Sequence, residues 1–260
     1  MAEHVQLERN VTAGVAVIRL DRPKVNALST DMMVAIGAIC GELASDEETR
    51  AVVVTGGRKN FAAGADISEF PTFDAKAATE FSHLFNNALL ALENLPQITI
   101  SAINGFALGG GLEVALATDF RMMADDGRIG VPEIQLGLIP GGGGTQRLSR
   151  LAGVTMAKDM VYSGRHVGAE EARSHQIVSS VHDPDLLFDE ALAKAADYAS
   201  GPAALRMAKR AILDGLHLPL SEAVAVEAAM FGACFATEDC TTGVQSFLEH
   251  GPGKAHFSGR

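Results

Sequence analysis

Two glutamates stand in surroundings where carboxylates are uncommon. Glu113 lies in GGGLEVALA and Glu133 in GVPEIQLGLIP, both inside the glycine-dense stretch 102–149. Leu116 and Ala117 occupy the i+3 and i+4 positions from Glu113, so a helix there surrounds the carboxylate with apolar neighbours. Burying a carboxylate is costly unless it is paired or put to use. Gly109, Gly110 and Gly111 come directly before that helix. Glycines allow close approach to the backbone, and the first N–H groups of a helix lack internal acceptors and attract negative charge. Two carboxylates beside such donors point to acid–base chemistry on a substrate that develops an oxyanion. The residues alone leave a plain alternative for each: Glu113 on a solvated helix face, and Glu133, after Pro132, as an ordinary helix-start glutamate.

Other chemistries lack their residues. Neither glycine turn, 64–66 or 109–111, is followed by GK[ST], and the GGGG of 141–144 runs into Thr145-Gln146, so no phosphate loop is present. There is no GxSxG elbow and no GxGxxG in a strand–helix unit with a later acidic residue. The eight histidines form no HExxH, so no metal site is expected.

The elements that position the glutamates follow from periodicity. Strands are expected over 4–9 and 14–20, with Thr12-Ala13-Gly14 as the turn. A helix over 31–44, capped by Ser29 or Thr30, carries Met32, Ile36, Ile39, Cys40 and Leu43 on one stripe. AVVVT (51–55) and ITISAI (98–103) are continuous apolar runs, as strands buried on both faces require. Between them a helix over 75–94 ends at Pro96. The helix after Gly109 runs to Ala117, short strands follow at 119–123 and 128–130, and another helix begins after PGGGG. From about residue 154 the pattern turns helical, at 154–163, 169–175, 185–200, 202–214, 220–236 and 239–250, interrupted by the apolar pair Ile177-Val178.

The 260 residues contain 47% hydrophobic residues, enough for a sizeable core. The formal net charge of −11 argues against a nucleic-acid partner. Cys40, Cys234 and Cys240 form no CxxC pair, which suits a reducing compartment. The N-terminus shows neither a basic start nor an apolar leader, so a cytoplasmic protein is expected. The run 98–117 has the length of a membrane span, but it contains Glu113 and many glycines, so no membrane partner is expected.

Four segments in order, DRPKVNALS, FAAGADI, INGFALGGGLEVALATD and GVPEIQLGLIPGGGGTQRL, resemble the crotonase (enoyl-CoA hydratase/isomerase) family. With the helical tail, the resemblance covers essentially the whole chain. It implies an α/β fold, a spiral of ββα units, with a core over 1–195 and a helical C-terminal trimerisation region over 196–260. It implies an acyl-CoA thioester as substrate, no separate cofactor, and a homotrimer or dimer of trimers. The family's two backbone oxyanion donors fall on Ala65 and Gly110. Glutamate at both the Glu113 and Glu133 positions resembles the hydratases, whereas isomerases need only the one matching Glu133. The resemblance therefore implies an enoyl-CoA hydratase of fatty acid β-oxidation, with Glu113 activating water and Glu133 protonating the α-carbon. Mutual repulsion is expected to separate the two pKa values. The alternatives are a 3,2-enoyl-CoA isomerase and a non-catalytic acyl-CoA-binding protein on the same fold. CoA is expected across the loops 24–28 and 63–67, at Lys24, Val25, Ala27, Ala63, Asp66 and Ile67, with Lys254 near its phosphates. In the GGGG of 141–144, Gly142 stands where the resemblance implies a more usual alanine, and it is expected to widen the space there without changing the chemistry.

Overall fold

The computed structural model describes residues 4–260. Its centre is a six-stranded sheet built from β1 (Val5–Thr12), β2 (Val15–Leu20), β3 (Ala51–Thr55), β4 (Ile98–Ile103), β6 (Phe120–Ala124) and β9 (Ser180–His182), in the order β1-β2-β3-β4-β6-β9. The β1–β2 pair is antiparallel and every later pair is parallel. A second sheet of three strands, β5 (Phe106–Leu108), β7 (Arg128–Gly130) and β8 (His166–Gly168), stands beside it in the order β5-β7-β8.

The continuous apolar runs have the expected cause. Every residue of β3 and β4 is buried. One face of the main sheet, with Ala16, Ile18, Val52 and Val54, packs with α1 (Thr30–Ala44) and α2 (Ala75–Glu93). The other, with Val15, Val17, Val53 and Ile100, meets Leu187, Ala191, Ala195 and Ala199 of α7 (Leu187–Ala199). Both helix starts are capped as side-chain chemistry dictates: Ser29 accepts from the Met32 N–H, and Asp74 from that of Ala77. The 98–117 run is broken into β4, β5 and α3 (Gly110–Leu116), so it does not form one long helix.

Several expectations need correction. β1 continues to Thr12, through a bulge after Glu8, and the turn contracts to Ala13-Gly14 with Gly14 at φ 72°. The apolar pair Ile177-Val178 interrupts the helices as expected and is buried, and the unexpected last strand of the main sheet, β9, comes two residues later. β5, β8 and β9 have no counterpart in the sequence reading, whereas β7, equally short, does; a three-residue strand carries little alternation to read.

The remaining helices are α4 (Gly144–Ala152), α5 (Val154–Ser163), α6 (Ala169–Ser174), α8 (Ala204–Gly215), α9 (Leu220–Cys234) and α10 (Glu238–His250). No residue of α9 is buried, and Leu220, Phe231, Phe235, Phe247 and Leu248 of α9–α10 are exposed. No single helix among the described residues is long and apolar enough to cross a membrane; α9 and α10 qualify only together, as a pair bent by 79°. Beyond α10 the chain returns to its own body. The buried Asp239 carboxylate accepts from the N–H groups of Ala203, Ser258 and Gly259 at 2.9, 2.8 and 2.8 Å.

Candidate active site

A cavity of about 840 Å³ opens between α2, α3 and the segment 132–142. Glu113, Glu133, Ala65, Gly110, Ala63 and Ile67 all line it, so residues far apart in sequence share one cavity.

Glu113 stands on α3, a helix whose seven residues are all buried, and is itself only 2% exposed. Its Oε1 accepts from the N–H groups of Gly142 and Gly144, at 2.8 and 2.7 Å. Among the described residues no donor engages its Oε2. Burial pushes the Glu113 pKa up to about 7, opposed by the Gly144 N–H, reinforced by the Glu133 charge, and opposed again by the Gly142 N–H and Arg147. The upward shift of Glu113 is therefore mainly the work of desolvation, with repulsion from Glu133 a smaller contribution.

Glu133 lies in a 3-10 turn, Pro132–Leu136, with Pro132 at its start. Burial raises its pKa as well, with its own backbone N–H opposing, and its Oε2 is buried without a hydrogen-bond partner among the described residues. Gly109 makes room for it. Gly109 sits at φ 50°, ψ −125°, where a side chain is strained, and a Cβ there would stand 2.9 Å from Glu133 Oε1. Gly111 is fixed by close packing: a Cβ there would meet the Ala62 carbonyl oxygen at 2.1 Å.

The N–H groups of Ala65 and Gly110 have no acceptor among the described residues. The 63–67 segment is joined to the 24–28 loop by three backbone bonds: Ala63 N–H to Val25 O, Leu28 N–H to Gly64 O, and Asp66 N–H to Leu28 O, at 3.0, 2.8 and 2.8 Å. Arg22 straps the same two segments, donating to Ala27 O at 2.8 Å and to Asp66 at 2.6 Å. The Asp66 carboxylate is thus engaged by Ser68 and by Arg22, which together hold its pKa below the usual range against a smaller effect of burial. Asn26, at φ 52°, turns its amide inward to the carbonyls of Gly56, Asn60 and Phe61. Lys24, Val25 and Ala27 lie on the loop so braced, outside the cavity lining, with Lys24 and Val25 exposed. Lys254 is exposed on the segment after α10 and does not line the cavity either.

Sequence reading missed the groups that hold these residues. Phe70, Phe73, Phe81 and Phe85 all line the cavity, with neighbouring ring centroids 5.4–5.8 Å apart. The i, i+4 spacing of Phe81 and Phe85 was legible; their meeting with Phe70 and Phe73 was not. Gly142 does not widen the space, contrary to expectation. Phe85 fills it, and a Cβ at Gly142 would lie 2.6 Å from that ring and 2.5 Å from Glu113 Oε2.

The chain as a whole has counterparts among known proteins. A family model described as enoyl-CoA hydratase/isomerase matches residues 10–260. The chain belongs to this enoyl-CoA hydratase/isomerase family. Family relatives include a short-chain-enoyl-CoA hydratase of Clostridium acetobutylicum, 41% identical over 238 residues, covering 90% of this chain and 91% of that one. A crotonyl-CoA hydratase of Syntrophomonas wolfei is 38% identical over 250 residues, with 95% of both chains covered. Among solved structures, an enoyl-CoA hydratase from Bacillus anthracis superposes with a TM-score of 0.90 at 36% identity, covering 95% of this chain and 96% of that one. One from Geobacillus kaustophilus gives 0.95 at 31%, covering 100% and 98%. The crotonase-type α/β fold implied by the sequence motifs is thereby established.

Proposed function

We infer that the protein is an enoyl-CoA hydratase, adding water to a 2-trans-enoyl-CoA to give the 3-hydroxyacyl-CoA. The observation that carries this reading is that Glu113 and Glu133 line one cavity with Ala65 and Gly110, whose N–H groups have no acceptor among the described residues. In a conjugated enoyl thioester the β-carbon is electrophilic. Attack there moves negative charge to the thioester oxygen, where Ala65 and Gly110 donate. Losing one such donor costs roughly 3–4 kcal/mol of transition-state stabilisation. Glu113, its Oε1 already engaged, takes a proton from water with Oε2 as the oxygen bonds to the β-carbon. Glu133, whose pKa burial raises as it does that of Glu113, delivers a proton to the α-carbon. The added H and OH sum to one water, and transfer of the proton from Glu113 back to Glu133 restores the starting state.

The reading is tested by the loss of conjugated-enoyl absorbance with crotonyl-, hexenoyl- and decenoyl-CoA. No loss with any of the three excludes it. A base must be ionised to work, so activity falls as pH drops through the Glu113 pKa. The acid limb of kcat/KM is expected near pH 7, where Glu113 is placed by its burial. A limb near pH 4.5, the ordinary carboxylate range, would remove Glu113 from that role.

CoA would be held by the braced loops 24–28 and 63–67, with Lys254 toward its phosphates and no separate cofactor. The same reading places the enzyme in fatty acid β-oxidation in the cytoplasm, and residues 196–260 as the assembly region. The exposed apolar side chains of α9 and α10 support contact between subunits, and the family resemblance makes that assembly a trimer or dimer of trimers. Light scattering at micromolar concentration is expected to give a multiple of three chains; a monomer mass excludes it.

A further inference from the structure

Glu113 is held by a loop that is itself held from two sides. The N–H groups of Gly142 and Gly144 converge on its Oε1. The Gly141 carbonyl belongs to the same planar peptide as the Gly142 N–H and points the opposite way. That carbonyl accepts from Ser82 Oγ and Asn86 Nδ2 of α2, both at 2.7 Å. The Gly142 carbonyl accepts from Arg147 Nη1 of α4 at 3.0 Å. Arg147 is braced in turn by Glu93 of α2, through Nε at 3.2 Å and Nη2 at 2.8 Å. Its side chain is 12% exposed, so this pair is shielded from water more than a surface ion pair is. The loop needs such support, because Gly143 sits at φ 94° and four consecutive glycines have no side chains of their own to fix them.

We propose that Arg147 and Asn86 are positioning residues for the water-activating step, clamping the peptide planes of the 141–144 loop so that Glu113 presents a free oxygen to water. This inference rests on the hydratase reading. Neither residue lines the cavity, so each acts through the loop rather than on the substrate. Arg147 has a second effect that Asn86 lacks. The charges facing Glu113 are Glu133 from the 132–136 turn, which favours its protonated form, and Arg147 from α4, which favours its ionised form. Glu93 of α2 faces Arg147, and Asp74 and His83 line the same cavity. Removing the Arg147 charge leaves burial and Glu133 less opposed, so Glu113 titrates at higher pH.

The test compares Arg147→Met, Arg147→Lys and Asn86→Ala by turnover of crotonyl-CoA, by pH profile and by ¹³C NMR titration of the labelled glutamate carboxyls. Arg147→Met is expected to lower kcat by about 10- to 100-fold with KM little changed, the scale of a misplaced catalytic group. It should also move both the Glu113 titration and the acid limb to higher pH. Arg147→Lys should return the titration towards its wild-type position. Asn86→Ala should lower kcat with the titration unmoved. A folded Arg147→Met protein with wild-type turnover overturns the proposal, and so does one that loses turnover while Glu113 titrates unchanged. If Arg147→Met does not fold, full turnover in Asn86→Ala overturns it. The titration needs no substrate, so wild-type protein that hydrates no enoyl-CoA defeats the hydratase reading while the effect on Glu113 is still measured.

Discussion

Glu113→Gln is expected to lower crotonyl-CoA hydration by about 10³-fold, within the range a positioned general base contributes. Conversion of 3-enoyl to 2-enoyl thioesters should survive in part, because that proton shift can run through Glu133 alone. The amide oxygen can keep both bonds from the 141–144 loop, at 2.8 and 2.7 Å in the wild type, which leaves the amide nitrogen in the place of Oε2. That nitrogen cannot accept a proton from water. The fold should not suffer. The folded-state pKa of Glu113 is about 7, above the ordinary carboxylate value of 4.5. The folded protein therefore holds the extra proton between those values, and stability is lost as pH rises through the window. Glutamine has no such loss, so the variant's melting temperature at pH 8 should equal or exceed that of the wild type. Unchanged hydration in the variant would rule out the base role; loss of both reactions would mean that Glu113 also supports the oxyanion or the loop.

Gly110→Ala should lower turnover by about 10²-fold, the scale of losing one oxyanion donor. A Cβ at Gly110 would stand 2.8 Å from Cζ of Phe85 and 3.4 Å from the backbone nitrogen of Ala65. The second contact puts a methyl group beside the partner donor, so one substitution disturbs both. Phe85 cannot easily yield, since it is buried on α2 and packed against Phe81. CoA affinity should change little, because the nucleotide end is assigned to the braced loops. Circular dichroism must show an intact fold. Near-normal turnover would then mean that the oxyanion forms elsewhere.

Much of this architecture was legible because it rests on local signals. The unbroken apolar runs of β3 and β4, the cap at Ser29 and the glycines before α3 can each be read without knowing their neighbours. Glu113 was legible for a related reason: a carboxylate with apolar residues one turn away is costly unless something answers it. What answers it was not legible. Gly142 and Gly144 lie 29 and 31 residues along the chain, and backbone N–H groups leave no mark in residue identity. Arg147 and Asn86 read as ordinary polar helix residues until their partners are known. Gly142 shows the same limit from the other side: the missing methyl was legible, but the ring that takes its place comes from residue 85.

The three bonds to Asp239 change what kind of segment carries Lys254. Residues after α10 look like a free tail, yet Ser258 and Gly259 are fastened to the helix that precedes them. The stretch between is an arch with both feet fixed. A chain pinned at two points explores far less volume than a free end of the same length, so the cost of ordering it falls largely on folding and less on any later encounter. Lys254 is therefore a cation with a short, bounded sweep. Its range is set by a carboxylate fifteen residues earlier in the sequence, and trimming the last three residues would turn a bounded reach into a diffuse one.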